Sequence, residues 1–210
     1  MRIHKKTSQT ETLQESSSFH VLSAAYLDAL SSKNYEKLLA ITKIIRTKLE
    51  DIDSSKISEV LETELLPHLV KFLEPEDKNL NKLQHESLWI LTNCLGASEE
   101  YITKIVSKPL LETLVRLLQS EDKEIAELAL WALANASADL DDVRLSLLDL
   151  QITDELSKYE ENIQTSTENQ LKDLAWLICN LSLTKKHEEK FRPIFPLIQK
   201  LFNQDDKEIC

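Results

Sequence analysis

"LWALANASAD", residues 130–139, places a tryptophan four residues before an asparagine and closes on an aspartate. The chain has three tryptophans, and the other two lie in "LWILTNCLG" (88–96) and "AWLICNLSL" (175–183), again with asparagine at the fourth position after the indole. Residues i and i+4 share one face of a helix, so each Trp-x-x-x-Asn presents an indole and a carboxamide together. Asparagine is scarce here, and three such pairs would arise by chance roughly once in ten thousand, so the coincidence asks for a repeated cause.

Composition sets the frame. The chain has 210 residues, 42% of them hydrophobic and 29% charged, which supports one or two domains or one extended array. A single glycine and five prolines leave little material for hairpins or phosphate-cradling loops. Apolar residues recur at three and four, so the chain reads as all-α. The formal net charge of −11 argues against nucleic acid, which demands clustered Lys and Arg, and favours a basic ligand steered to an acidic surface. Cys94, Cys179 and Cys210 are odd in number and far apart. They read as free thiols of a reducing compartment, with Cys94 and Cys179 buried in apolar helices. "MRIHKKTSQTETLQESSS" lacks the apolar core of a secretory signal and reads, over 1–18, as a disordered tail.

Spacing organises the rest. Trp89, Trp131 and Trp176 lie 42 and 45 residues apart, and "LLQSEDKEIAE" (117–127) returns as "LFNQDDKEI" (201–209) two periods later. "ELLPHLVKFLEPED" (64–77), "PLLETLVRLLQSED" (109–122) and "FRPIFPLIQKLFNQDD" (191–206) share one phase. Such a period predicts stacked helical repeats, each a short, a middle and a long third helix, each burying its apolar face against its neighbours. Middle helices are expected over 61–74, 108–119, 145–158 and 192–203, and third helices over 82–95, 122–137 and 168–182. "TSTENQ" (165–170) reads as a polar loop. The domain is expected over 19–210 as roughly four repeats, the last incomplete.

On this plan the Trp–Asn pairs project from successive third helices as a ladder. Indole walls would hold the stem of a Lys or Arg, whose cation gains roughly 0.5–2 kcal/mol from a ring face. An asparagine amide offers a donor and an acceptor to an extended peptide backbone. The contrary reading makes each tryptophan a core residue and each asparagine a local cap. Exposed indoles favour the first and buried indoles the second.

With these motifs in place, the chain resembles importin alpha, the armadillo-repeat adaptor for nuclear localisation signals. "LQHESLWILTNCL", "IAELALWALANASAD" and "LKDLAWLICNLSL" carry the resemblance, with "ELLPHLVKFL" in support, over about residues 35–209. The resemblance implies an all-α, armadillo-repeat, right-handed superhelical solenoid with a concave cargo groove. It implies that Trp89, Trp131 and Trp176 line side-chain slots and that Asn93, Asn135 and Asn180 clamp the peptide backbone. Asp139 would pair with the key cargo lysine, and Glu86 matches a further acid. It also implies a cytoplasmic and nuclear adaptor that takes the basic localisation signals of cargo proteins. The sequence departs from the family in lacking an Arg-rich arm for importin beta, since "MRIHKK" is short and weakly basic. Leu128 stands where a Gln is usual, Ile102 where a Thr is, and the glycine between first and second helices is missing. The expectation is a shortened relative with the major groove alone.

The alternatives are a general armadillo scaffold outside transport, and an enzyme. His4, His20, His68, His85 and His187 form no HExxH, no CxxC accompanies them, and no nucleophile elbow occurs. No catalytic residue, metal, cofactor or small-molecule ligand is therefore expected. Helices with acids on their polar faces also argue against a membrane role.

Overall fold

The computed structural model describes residues 18–50, 54–74, 80–185 and 187–203, and all regular structure among them is helical. Residues 1–17 of the tail expected over 1–18, and the last landmark residues, 204–210 with Cys210, lie outside the described residues; Ser18 is described and caps the first helix. The chain divides into two compact units, Met1–Ile105 and Val106–Cys210.

Unit 1 carries α1 (Phe19–Ser31), α2 (Tyr35–Lys48), α3 (Ser54–Leu61), α4 (Leu65–Lys71), α5 (Asn81–Leu95) and α6 (Glu99–Ile105). Helix α2 packs against both α1 and α5, and α4 packs beneath α5. Leu22, Tyr26, Leu38, Ile41, Ile45, Leu69 and Leu91 are wholly buried in its core, at about 1.5–3 kcal/mol for each large aliphatic side chain.

Unit 2 carries α7 (Lys108–Leu117), α8 (Lys123–Ser137), α9 (Asp141–Asp149), α10 (Ile152–Ser157), 3₁₀ turns at Lys158–Glu160 and Ile163–Thr165, α11 (Glu168–Ser182), a 3₁₀ segment at Glu188–Ile194 and α12 (Phe195–Phe202). The dominant packing is α8 against α11. Ala129, Ala132, Ala134 and Ala136 on α8 are wholly buried, and side chains this small let neighbouring helices close on it from several sides.

Polar caps fix the helix starts. Ser18, Asn34, Ser107, Asp122 and Thr167 each accept a backbone N–H of the helix they head. The third helices α5, α8 and α11 begin and end within a residue of expectation. The loop expected over 165–170 is shorter, because Thr167 caps α11 and Glu168 is already helical. The middle helices need correction. The one expected over 145–158 is two elements, α9 and α10, separated by Gln151 in the left-handed region at φ 56°. Gln151 does there, between a first and a second helix, what glycine does without a Cβ. The one expected over 192–203 starts at Phe195, after Pro193 has held Glu188–Ile194 in 3₁₀ form. The one expected over 61–74 is confined to α4. Cys179 is exposed rather than buried, since it stands three residues after Trp176 on the outward face of α11.

Candidate peptide-binding surface

Trp89 and Trp131 each interrupt a buried stretch of helix. From Glu86 to Leu95, Trp89 is the one residue that is not buried, and from Leu128 to Ser137 Trp131 is the one. Trp176 is 41% exposed between buried Leu174 and Leu177. A core tryptophan would show the reverse pattern, so the indoles face outward while their helices are submerged around them.

The asparagines behave otherwise. Asn93, Asn135 and Asn180 are buried. Asn93 donates from Nδ2 to the carbonyl of Leu49, at the end of α2, over 3.2 Å. Asn180 donates to the carbonyl of Ala134 on α8 over 3.0 Å and lies 3.4 Å from Ser137 Oγ. Both span more than forty residues of sequence, so Asn93 ties α5 to the end of α2 and Asn180 ties α11 to α8. The amides of Asn93 and Asn180 are thus committed to the protein's own backbone.

In unit 2 the indoles come with acids. Glu127 stands four residues before Trp131 and Asp173 three before Trp176, the spacings that share a helix face. Burial pushes the Asp173 carboxyl up to about 6, with the Glu127 charge as the second cause. The two carboxylates are therefore near neighbours across the α8–α11 contact. Sequence reasoning did not single them out, although their offset from each tryptophan was available. Asp139 is exposed in the turn after α8. Helix α9 begins two residues later, with Asp141 and Asp142 in its first turn. That turn is pinned by Arg144, a buried cation that donates from Nη1 to the carbonyls of Ser137 and Ala138, both at 2.8 Å. Arg144 also pairs with Asp141 at 2.6 Å.

In unit 1 the Arg46 guanidinium lies over the Trp89 ring, 5.4 Å from its centroid. Arg46 Nε is 2.7 Å from Glu86 Oε2, and Nη1 donates to Glu50 Oε1 at 2.8 Å. The Glu86 contact is an ion pair without hydrogen-bond alignment, because Oε2 is buried and accepts no aligned donor. His85 completes the surround, 5.9 Å from Trp89 between ring centres.

Among the described residues no group of His, Cys, Asp and Glu is arranged to hold a metal ion, and no helix is long and apolar enough to cross a membrane. A depression of about 450 Å³ between α7 and α10 is lined by Glu112, Arg116, Gln119, Gln151, Asp154 and other residues, none of them a ladder residue.

Comparison with known proteins agrees with this layout. An armadillo/beta-catenin-like repeat profile matches residues 98–138. Importin subunit alpha-6 of Arabidopsis thaliana is 27% identical over 181 residues, covering 85% of this chain and 33% of its own. Importin subunit alpha-1b of Oryza sativa subsp. japonica is 28% identical, covering 88% and 34%. The chain has an armadillo-repeat fold and is similar in sequence to importin alpha. It spans about a third of the length of these curated relatives. Among solved structures, a designed armadillo repeat protein in complex with the peptide (KR)4 superposes with a TM-score of 0.76 at 22% identity, over 96% of this chain and 81% of that one. A computationally designed armadillo repeat protein for modular peptide recognition gives 0.76 at 21% identity, covering 96% and 82%. The armadillo repeat matched by the profile comprises α6, α7 and α8, so Trp131 lies on its third helix.

Proposed function

We propose that this armadillo-repeat chain is an adaptor that binds short basic segments of other proteins, and that these are nuclear localisation signals. The carrying observation is the outward face shared by α8 and α11. There Trp131 and Trp176 reach solvent, with Glu127 and Asp173 beside them and Asp139 just past the end of α8. An extended Lys/Arg peptide supplies cations, which suit both indole faces and the three carboxylates. The net charge of −11 adds long-range attraction. The importin alpha relatives and the armadillo design complexed with (KR)4 support the same ligand chemistry. Shuttling of such an adaptor between cytoplasm and nucleus belongs to this proposal.

The test is a titration with a five-residue Lys/Arg peptide and its alanine-substituted control. Binding of the basic peptide alone is expected, weakening as salt screens the acids. Asp139→Lys is expected to weaken it about tenfold or more, since a like charge meets the ligand cation in a partly desolvated place. Equal binding by that variant would remove Asp139 from the site.

A second reading, an armadillo scaffold that takes a non-basic partner, draws on the asparagines, whose amides already tie the third helices together. Equal affinity for the basic peptide and its alanine control would favour it.

A further inference from the structure

The tryptophan–asparagine ladder has one rung more than its tryptophans. Asn180 bonds to Ala134, three residues after Trp131; Asn93 bonds to Leu49, three residues after Arg46. Relative to the tie that the next third helix makes, Arg46 therefore occupies on α2 the station that Trp131 occupies on α8. The position four residues on, asparagine after each tryptophan, is Glu50 after Arg46. The first third helix thus carries Arg-x-x-x-Glu where the later ones carry Trp-x-x-x-Asn.

This substitution changes what the neighbouring indole sees. In place of a second ring, the Trp89 face meets a guanidinium of the chain's own, held by Glu50 on one side and by buried Glu86 on the other. The Arg46 side chain is only 26% exposed and that of Glu86 12%, so the cation is seated rather than waving in solvent. A ring face and two carboxylates are also the partners that a ligand lysine or arginine would seek.

We propose that Arg46 is a specificity-determining residue that fills the cation seat on Trp89, so that a basic peptide's Lys or Arg is excluded from it. The inference rests on the reading of the third helices as a basic-peptide surface and adds which of its seats is closed. The α8–α11 face then takes the peptide, and the unit 1 seat opens only when the guanidinium leaves. Glu86 Oε2, which Arg46 approaches without hydrogen-bond alignment, is the acceptor an incoming ammonium would use.

The experiment compares the full chain with Arg46→Met, which keeps the stem's packing and removes the charge. Lys43→Met, an exposed lysine on the same helix, controls for the change in net charge. Titration with pentalysine is expected to show Arg46→Met binding about threefold to thirtyfold tighter than the parent, and Lys43→Met within about twofold. In a chain with Trp131 and Trp176 replaced by phenylalanine, caesium is expected to quench Trp89 more strongly once Arg46→Met is added. If the parent binds pentalysine and Arg46→Met binds it no more tightly than Lys43→Met does, the closed seat is refuted while the basic-peptide surface stands. If no form binds pentalysine, the surface itself is refuted and this inference with it. Unchanged caesium quenching refutes the seat whatever the peptide does. Should Arg46→Met fail to fold by circular dichroism, Glu50→Gln loosens the guanidinium in its place, with a smaller tightening expected and none refuting the proposal.

Discussion

At the level of single residues, the tryptophan and the asparagine of each pair do different work, and substitution should separate them. Asn180 is buried with its amide on the Ala134 carbonyl and against Ser137 Oγ, so Asn180→Ala removes a buried tie between α8 and α11. A loss of about 1–3 kcal/mol of stability is expected in denaturant melts. Trp176 is outward, so Trp176→Leu keeps apolar cover and should change stability by less than about 1 kcal/mol, while basic-peptide affinity falls about threefold to tenfold. Equal stability losses would put the indole in the core after all. Asp173 gives the surface a pH dependence. Its carboxyl is raised to about 6 from 3.8 by burial first and Glu127 second, so the folded chain holds a proton that the unfolded chain has released. Its ionisation opposes folding, and that loss sets in as pH rises from about 4 to about 6. A bound cation reverses the preference. Peptide affinity should therefore strengthen between about pH 5 and pH 7, where carboxylates of ordinary pKa no longer titrate, and Asp173→Asn should flatten that rise. A rise of equal size in Asp173→Asn would assign it to another group.

The same division appears among the elements. Helix α8 ends at Ser137 with carbonyls that need donors, and buried Arg144 reaches back from α9 to supply them while pairing with Asp141. Arg144→Met is expected to destabilise unit 2 by about 2–4 kcal/mol, because the buried Ser137 carbonyl and the half-buried Ala138 carbonyl lose a charged donor. It should also loosen the turn that carries Asp139, weakening peptide binding beyond what the melt alone explains. A melt unchanged from the parent would show that water replaces the guanidinium. This brace was not legible in "LDDVRLS", where an arginine on an amphipathic helix reads as a solvated face. The third helices were legible, because Trp-x-x-x-Asn marks their phase and their caps are ordinary serine, threonine and aspartate chemistry. Helix α2 belongs to that set and went unmarked, since its rung is Arg46 and Glu50 rather than indole and amide. The α9–α10 break was hidden for a related reason: the left-handed residue is Gln151 where glycine would have announced it. Periodicity and motif thus carried the ladder, and the pieces lost were those in which a charged or polar side chain stands in for the usual residue.

Across the whole molecule, the two free thiols among the described residues report on different things. Cys94 is wholly buried in α5, and burial pushes its thiol up to about 12, so in the native chain it is neither accessible nor a thiolate. Cys179 is exposed on α11, three residues from Trp176. With Cys210 replaced by serine, a thiol reagent should label Cys179 promptly and Cys94 only through opening of unit 1. Two outcomes then follow from the geometry. Saturating basic peptide should slow Cys179 labelling severalfold, since the ligand would lie along the Trp176 face, and should leave the Cys94 rate set by opening. Asn93→Ala breaks the tie from α5 to Leu49, and a loss of about 1–2 kcal/mol should raise Cys94 labelling about fivefold to thirtyfold where opening is a rapid pre-equilibrium. Peptide protection of Cys179 absent at saturation would move the ligand off the α8–α11 face. A Cys94 rate indifferent to Asn93→Ala would show that the repeated asparagine, for all its register, is not what holds α5 to the end of α2.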